Sequence, residues 1–437
     1  MNWSLGHKIN LGLFVLTLVL NLTIPNNHEL WKNFGDPYDY LHQSEQSLSS
    51  LDFYAPEKTA HYARPFTVPL FYKIVGSNPD AIVWMQKVLH TFAAFFFSLA
   101  MLQFFKTKRA SITFLILFYL FMSWWSIIGW TNMILSESIS NSLLIIWLGS
   151  ILFFIKKKSV WWLVAHVILT ILFSFTRDSW PYIICLFYSI AAVSSWKLLR
   201  THFWKFAGLF GFGLILFFVQ QKTAEIGQRY RLPITNNIMY RIIPNEDYFE
   251  WFQHQGMPDA ELLAEKQSHL NHWKDIYPLY DDPELDNFYV WVVQDGRSTY
   301  SKFLLTHPSM LLLRDEKQVD LNKIFAHNFG YIGRVDGYSR FAQNIFPIFR
   351  WWLTIPIVLL VIWFYFRTKR KIFLFPVLLT LLFAANAYLI FLADCLEHER
   401  HLFITTLMMQ VIGILSVALI MDSKEFSNLL DRFKRVR

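Results

Sequence analysis

The chain has 437 residues, of which 54% are hydrophobic, 18% aromatic and only 16% charged, against roughly 25% charged in soluble domains. Forty-three Phe and 18 Trp are more than a water-facing surface could hide, which excludes a soluble globular protein and predicts a polytopic membrane protein. The net charge of +8 is therefore read by its position along the chain, as an orientation signal and not as a nucleic-acid footprint.

Ten apolar runs are read as spans, several of them of roughly twenty residues and long enough to cross ~30 Å of hydrocarbon; in chain order they are 9–25, 81–105, 110–129, 134–155, 159–176, 181–196, 203–220, 349–366, 372–393 and 402–421. The first follows a single lysine and has no small-residue cleavage site, so it is read as a retained helix. The expected fold is all-α, with about ten transmembrane helices. Its parts are a membrane module over 1–220 with a long first external loop (26–80), an external insert over 221–348, and C-terminal transmembrane helices with a basic tail over 349–437. Cys185 and Cys395 lie in or at the end of apolar runs and make no disulfide framework.

The connecting segments alternate. One set is short and basic: Lys106/Lys108/Arg109, Lys156 to Lys158, Lys197/Arg200/Lys205, Arg367/Lys369/Arg370/Lys371, and the tail with Arg432, Lys434, Arg435 and Arg437. Only Asp422, Glu425 and Asp431 of the 32 acidic residues fall on that side. Basic loops stay cytoplasmic, so both termini are expected there. The insert has helix signals at Pro258-Asp259 and Asp282-Pro283, and an amphipathic stretch from Tyr300 to Leu313 interrupted by Pro308.

Ionisable residues at the edge of the membrane are costly and therefore functional candidates. Outside the insert they are Asp36 and Asp39 in GDPYDY, Arg64 in ARPF, Glu137 in LSES, Arg177 and Asp178 in FTRDSWP, and Glu397, His398, Glu399 and Arg400 in LEHERHLF. All fall at span ends on the same non-cytoplasmic face. Guanidinium groups hold phosphate oxygens bidentately, and a carboxylate can take a proton from an attacking hydroxyl. That mixture suits chemistry on an anionic lipid headgroup. Each residue also has a plainer reading: turn residues beside Pro37, arginines that snorkel to the interface, a glutamate that pairs locally. His398 and His401 lack the further ligands that a metal site needs. No phosphate-binding GxxxxGK[ST] loop, HExxH helix or Gly-x-Ser-x-Gly elbow is present.

The arrangement resembles the C-type fold (GT-C) membrane glycosyltransferases. The matching elements are Asp36 four positions before Tyr40-Leu41 in the long first loop, Arg64-Pro65 leading into an apolar stretch, Ser136-Glu137 before an apolar helix, and the late external Glu399-Arg400. The likeness covers about 1–220 and 349–421. It departs from the family at Pro37, where many members have a second acid, which leaves Asp39 as a rival to Asp36. It departs again at His401, where an aromatic is usual.

The resemblance implies a polyprenyl-phosphate-linked sugar as donor and a glycan, lipid or protein hydroxyl as acceptor. It implies interfacial helices in the first loop, for which 39–51 and 67–75 are the candidates. Asp36 or Asp39 would be the general base. Tyr40, Arg64, Glu137, Arg177, Asp178, His398, Glu399 and Arg400 would line the substrate, with Arg400 first on the leaving phosphate. A divalent metal is possible in such sites and not required by this sequence. Two rival readings remain: an O-antigen ligase or polymerase, in which His254, His307 or His327 would be central, and a lipid or glycan transporter. The insert has no Asn-x-Ser/Thr acceptor, which points to a bacterial inner membrane with a periplasmic site.

Overall fold

The computed structural model of the chain describes residues 4–24, 26, 36–54, 56, 63–198, 203–311, 351–393, 395–396 and 398–428; the side chains of 125–126, 194–198, 203, 273, 311, 351–353 and 398–399 are outside this description. Residues 27–35, Arg200, 312–350 with His327, Glu397, and the tail from 429 onward are likewise outside it. Every element among the described residues is helical.

The apolar helices are α1 (Leu5–Thr23), α5 (Pro79–Leu102), α6 (Lys108–Met122), α7 (Ser136–Lys157), α8 (Val160–Ser174), α9 (Trp180–Leu198), α10 (Phe203–Ile226), α16 (Trp351–Thr368), α17 (Leu374–Ala393) and α18 (Phe403–Met421). A helix therefore lies over each of the ten apolar runs. Six of them, α1, α5, α7, α10, α17 and α18, are long and apolar enough to cross a membrane. The first loop folds as α2 (Asp36–Glu45), α3 (Leu51–Tyr54) and α4 (Thr67–Ile74), close to the expected interfacial segments. Short polar residues start several helices: the Asn78 side chain accepts from Ala81 N ahead of α5, and the Thr107 hydroxyl from Ala110 N ahead of α6.

α7 is the central strut. Every residue from Ser136 to Phe154 is buried, and α5, α8 and α18 pack around it. In a bilayer such packing rests on close van der Waals fit, since lipid tails are as apolar as Leu. Gly149 allows it: a Cβ there would stand 2.8 Å from the Phe96 ring and 3.3 Å from the Phe97 Cα.

The run 110–129 is not one helix. α6 ends at Met122 after fifteen residues, roughly 22 Å at ~1.5 Å per residue and short of the bilayer core. A turn of helix (Trp125–Ile128) and a 3-10 turn (Gly129–Asn132) follow, with every residue from Ile127 to Asn132 buried. Backbone that leaves a helix at such depth must find partners in the protein. Gln86 Nε2 donates to the carbonyls of Thr131 and Met133 at 3.1 and 2.9 Å, His90 Nε2 bonds that of Met122 at 2.9 Å, and Tyr72 donates to that of Leu135 at 3.1 Å.

The segment read as the insert opens with the end of α10, which continues to Ile226. It contains α11 (Arg231–Asn237), α12 (Glu246–His254), α13 (Ala260–Ser268), α14 (Asp286–Trp291) and α15 (Arg297–Thr306). They enclose a separate core that includes Ile238, Phe252, Leu263, Phe288 and Phe303. Asp282 caps the Pro283–Leu285 turn as the sequence predicted. Asp259 precedes α13 in a left-handed conformation without a capping bond.

At the far end of α18, the carboxylate of Asp422 is fully buried. It accepts from Lys106 N (2.8 Å), Thr107 N (2.7 Å) and Arg370 Nη2 (2.7 Å). Three of the segments grouped in sequence as one basic face thus meet at one end of the bundle.

Candidate functional site

α2 carries Asp36 as its first residue, with Asp39 and Tyr40 one turn on, so the three share a face. Arg64 comes from the extended segment before α4. Its backbone is clamped by the buried side chain of Gln43: Oε1 accepts from Arg64 N at 2.9 Å, and Nε2 donates to Arg64 O and to Phe53 O, both at 2.8 Å. Thr67 N then donates to Phe175 O at 3.1 Å, which ties this segment to the turn bearing Arg177. Ala63 rests on Gly227, where a Cβ would come within 2.5 Å of its own Cβ. Glu137 opens α7, and Arg400 lies in a short helical turn, His398–His401, just ahead of α18.

These residues form one continuous ionic chain. Arg64 Nη2 bonds Asp39 Oδ2 at 2.7 Å and Asp36 Oδ1 at 2.6 Å. The other oxygen of Asp36 accepts from Arg400 Nη2. Arg400 Nε reaches Glu137 Oε1 at 2.9 Å, and Arg177 Nη2 reaches the same oxygen at 3.2 Å. Arg177 Nη2 also lies 3.1 Å from His401 Nδ1. Asp36 and Arg400 are thus joined across 364 positions of sequence.

Three carboxylates and three guanidiniums balance in charge. Burial varies along the chain: the Glu137 side chain is 0% exposed and that of Arg400 6%, whereas Asp36 is 24% exposed. Asp36 is therefore the most open member.

Burial pushes the Asp36 carboxyl up, but Arg400 and Arg64 beside it outweigh this and hold it far below the ordinary carboxylate range. Burial acts against the Arg64 charge too, and Asp36, with Tyr40 and Asp39, overrides it and keeps the guanidinium protonated. Burial raises the Tyr40 phenol, with Arg64 opposing, so it stays neutral. The Arg64 guanidinium lies 5.4 Å from the Tyr40 ring centre. Arg64 Nε is buried with no hydrogen-bond partner among the described residues.

Of the residues singled out in sequence, Asp36, Asp39, Tyr40, Arg64, Glu137, Arg177 and Arg400 come together. Asp178 does not join them. Its carboxylate turns to Arg229, whose Nε and Nη2 stand 3.1 and 2.9 Å from Oδ1, and accepts from Gln220 Nε2 at 2.6 Å. That partner could not be anticipated, because Arg229 follows the seventh apolar run with no motif of its own. The side chains of His398 and Glu399 lie outside the described residues. His254 is exposed beside Glu250, and His307 stacks on Phe303 in the insert, apart from the ionic chain. Gln43 and His401 joined the site without being counted as substrate-lining; a buried amide that clamps backbone leaves no sequence signal.

Among the described residues no group of three His, Cys, Asp or Glu is placed to hold a metal ion. The three site carboxylates are instead each bonded to a guanidinium. No protein-family profile matches the chain, and no curated protein matches its sequence. What the chain is rests on its helices and on this site: a helical membrane protein with a buried, charge-balanced carboxylate–arginine chain between its first loop and the turn before α18.

Proposed function

We propose that the chain is a membrane glycosyltransferase of the C-type kind, with ten transmembrane helices, cytoplasmic termini and a periplasmic site in a bacterial inner membrane. It would transfer a sugar from a polyprenyl-phosphate donor to an acceptor hydroxyl with inversion. The observation that carries the reading is the junction of Asp36 with Arg400 and Glu137, which gathers the first-loop acid, the Ser-Glu element and the late Glu-Arg element at one point.

At rest the arginines are bound to carboxylates, and an ionised Asp36 held so far below the usual range is a weak base. A donor phosphate competes for the same guanidiniums. As Arg400 and Arg64 turn to it, Asp36 loses the charges that suppress its basicity. The acceptor oxygen then bonds to the anomeric carbon and gives its proton to Asp36. The bond from that carbon to the phosphate oxygen breaks, and its electron pair leaves with the polyprenyl phosphate. The charge that develops there is met by the arginines, a several-kcal/mol effect in comparable oxyanion sites. The more open position of Asp36 favours it over Asp39, which sits deeper against Arg64.

The test is to incubate the purified protein with a panel of undecaprenyl- and dolichyl-phosphate monosaccharides and follow donor loss. Consumption of one donor by the wild type and none by Asp36→Asn is expected. A wild type inert toward every donor, with and without acceptor sugars or lipids, refutes the reading. Normal turnover by Asp36→Asn with a dead Asp39→Asn moves the base to Asp39.

A further inference from the structure

The last carbonyls of a helix have no partner within it, and at a membrane boundary leaving them bare is costly. At the end of α17 three consecutive carbonyls are met by side chains of the insert. Arg241 Nη1 donates to Phe391 O at 2.7 Å, Tyr300 to Leu392 O at 2.9 Å, and Asn237 Nδ2 to Ala393 O at 2.8 Å. Arg241 also donates to Asn237 Oδ1 at 2.9 Å, and its guanidinium lies 4.4 Å from the Phe391 ring centre. Arg241 and Asn237 thus hold each other as well as the helix.

The chain leaves this cap and reaches Arg400 seven residues later. On the way Leu396 packs against the insert core. Beyond Arg400, Leu402 joins Phe391 and Leu392 in a cluster against which the insert's Leu304 packs. The turn bearing Arg400 is therefore held by the insert on both sides, although Arg400 itself points to Asp36 and Glu137.

We propose that the insert sets the position of Arg400, with Arg241, Tyr300 and Asn237 as positioning residues that fix the end of α17 and so the aim of the guanidinium. Its effect on turnover rests on the glycosyl-transfer reading above; its effect on the turn does not. Insert movement, for instance on acceptor binding, would then reach the phosphate side of the site through this cap.

The experiment compares the full-length wild type with Arg241→Met, which keeps the contact with Phe391 and removes the donor, and Arg241→Lys, which restores a cationic donor. Amide hydrogen exchange over 394–402 should rise at least roughly tenfold in Arg241→Met, which loses the charged donor's bonds to Phe391 O and Asn237 Oδ1, and return toward wild type in Arg241→Lys. Turnover of the donor found in the panel should fall and recover in parallel. Tyr300→Phe, which loses one hydroxyl, serves if Arg241→Met does not fold. Unchanged exchange over 394–402 in a folded Arg241→Met or Tyr300→Phe overturns the proposal, as does raised exchange with wild-type turnover. A wild type that consumes no donor removes the glycosyl-transfer reading, and the exchange result alone then decides the positioning role.

Discussion

The ionic chain makes a quantitative demand on Glu137 and Arg400. Glu137 is fully buried and its Oε1 serves two guanidiniums, at 2.9 and 3.2 Å. With an effective dielectric near 20, two charges about 4 Å apart attract by about 4 kcal/mol. Glu137→Gln leaves Arg400 and Arg177 with one carboxylate fewer, and Arg400→Met leaves Asp36 with Arg64 alone and Glu137 with Arg177 alone. Removing one member of a buried pair costs roughly 3–5 kcal/mol, so the two changes would together cost about 6–10 kcal/mol if they acted independently. They do not: once Arg400 is gone, the charge on Glu137 has lost one of its two partners. The double variant should be more stable than the additive sum by roughly 2–3 kcal/mol. Denaturant unfolding of the four proteins in one detergent, followed by tryptophan fluorescence, gives the cycle. Additivity within about 0.5 kcal/mol would mean that Glu137 and Arg400 do not interact, and the site as described would be wrong.

Three further outcomes follow from named contacts. Asp422→Ala should cost roughly 3–5 kcal/mol, because Arg370 and two backbone N–H groups lose their acceptor; an unchanged unfolding midpoint would contradict the burial of that carboxylate. Gly227→Ala should destabilise by roughly 1–3 kcal/mol through overpacking against Ala63, and adding Ala63→Gly should restore stability; a neutral Gly227→Ala would deny the close approach. The third concerns pH. A carboxyl held below its unfolded value near 3.9 contributes stability that is present above that value and lost only as pH falls through the folded one. The ionised-carboxylate infrared band assigned to Asp36 by difference with Asp36→Asn should therefore persist at pH ~3, where an ordinary aspartate is mostly protonated. Its loss at the ordinary carboxylate pH would show that Arg64 and Arg400 do not hold it.

The positions of the apolar helices were legible because apolar runs of this length have few alternatives. The grouping of Asp36, Arg64, Glu137, Arg177 and Arg400 was legible because charge at a membrane edge is expensive and the basic loops told one face from the other. The end of α6 was not: Trp124, Trp125, Ile127 and Ile128 continue the apolar run past Met122, and hydropathy does not register where the backbone leaves the helix. The partner of Asp178 was hidden because adjacency to Arg177 suggested a shared role, while successive residues of a turn point apart. Nor could spacing reveal that the arginines expected on phosphate are bound to carboxylates. The cap on α17 was equally hidden, since Asn237, Arg241 and Tyr300 lie about ninety to 160 positions from the carbonyls they meet.

The shortness of α6 bears on how the protein is made. A fifteen-residue helix followed by bare peptide groups cannot rest alone in lipid while the ribosome finishes the chain. The groups that receive it, Tyr72, Gln86 and His90, are all synthesised earlier. Vectorial synthesis thus delivers the socket before the segment that needs it, and α6 with its buried extension is expected to leave the insertion machinery together with α5 and not as a separate hydrophobic step.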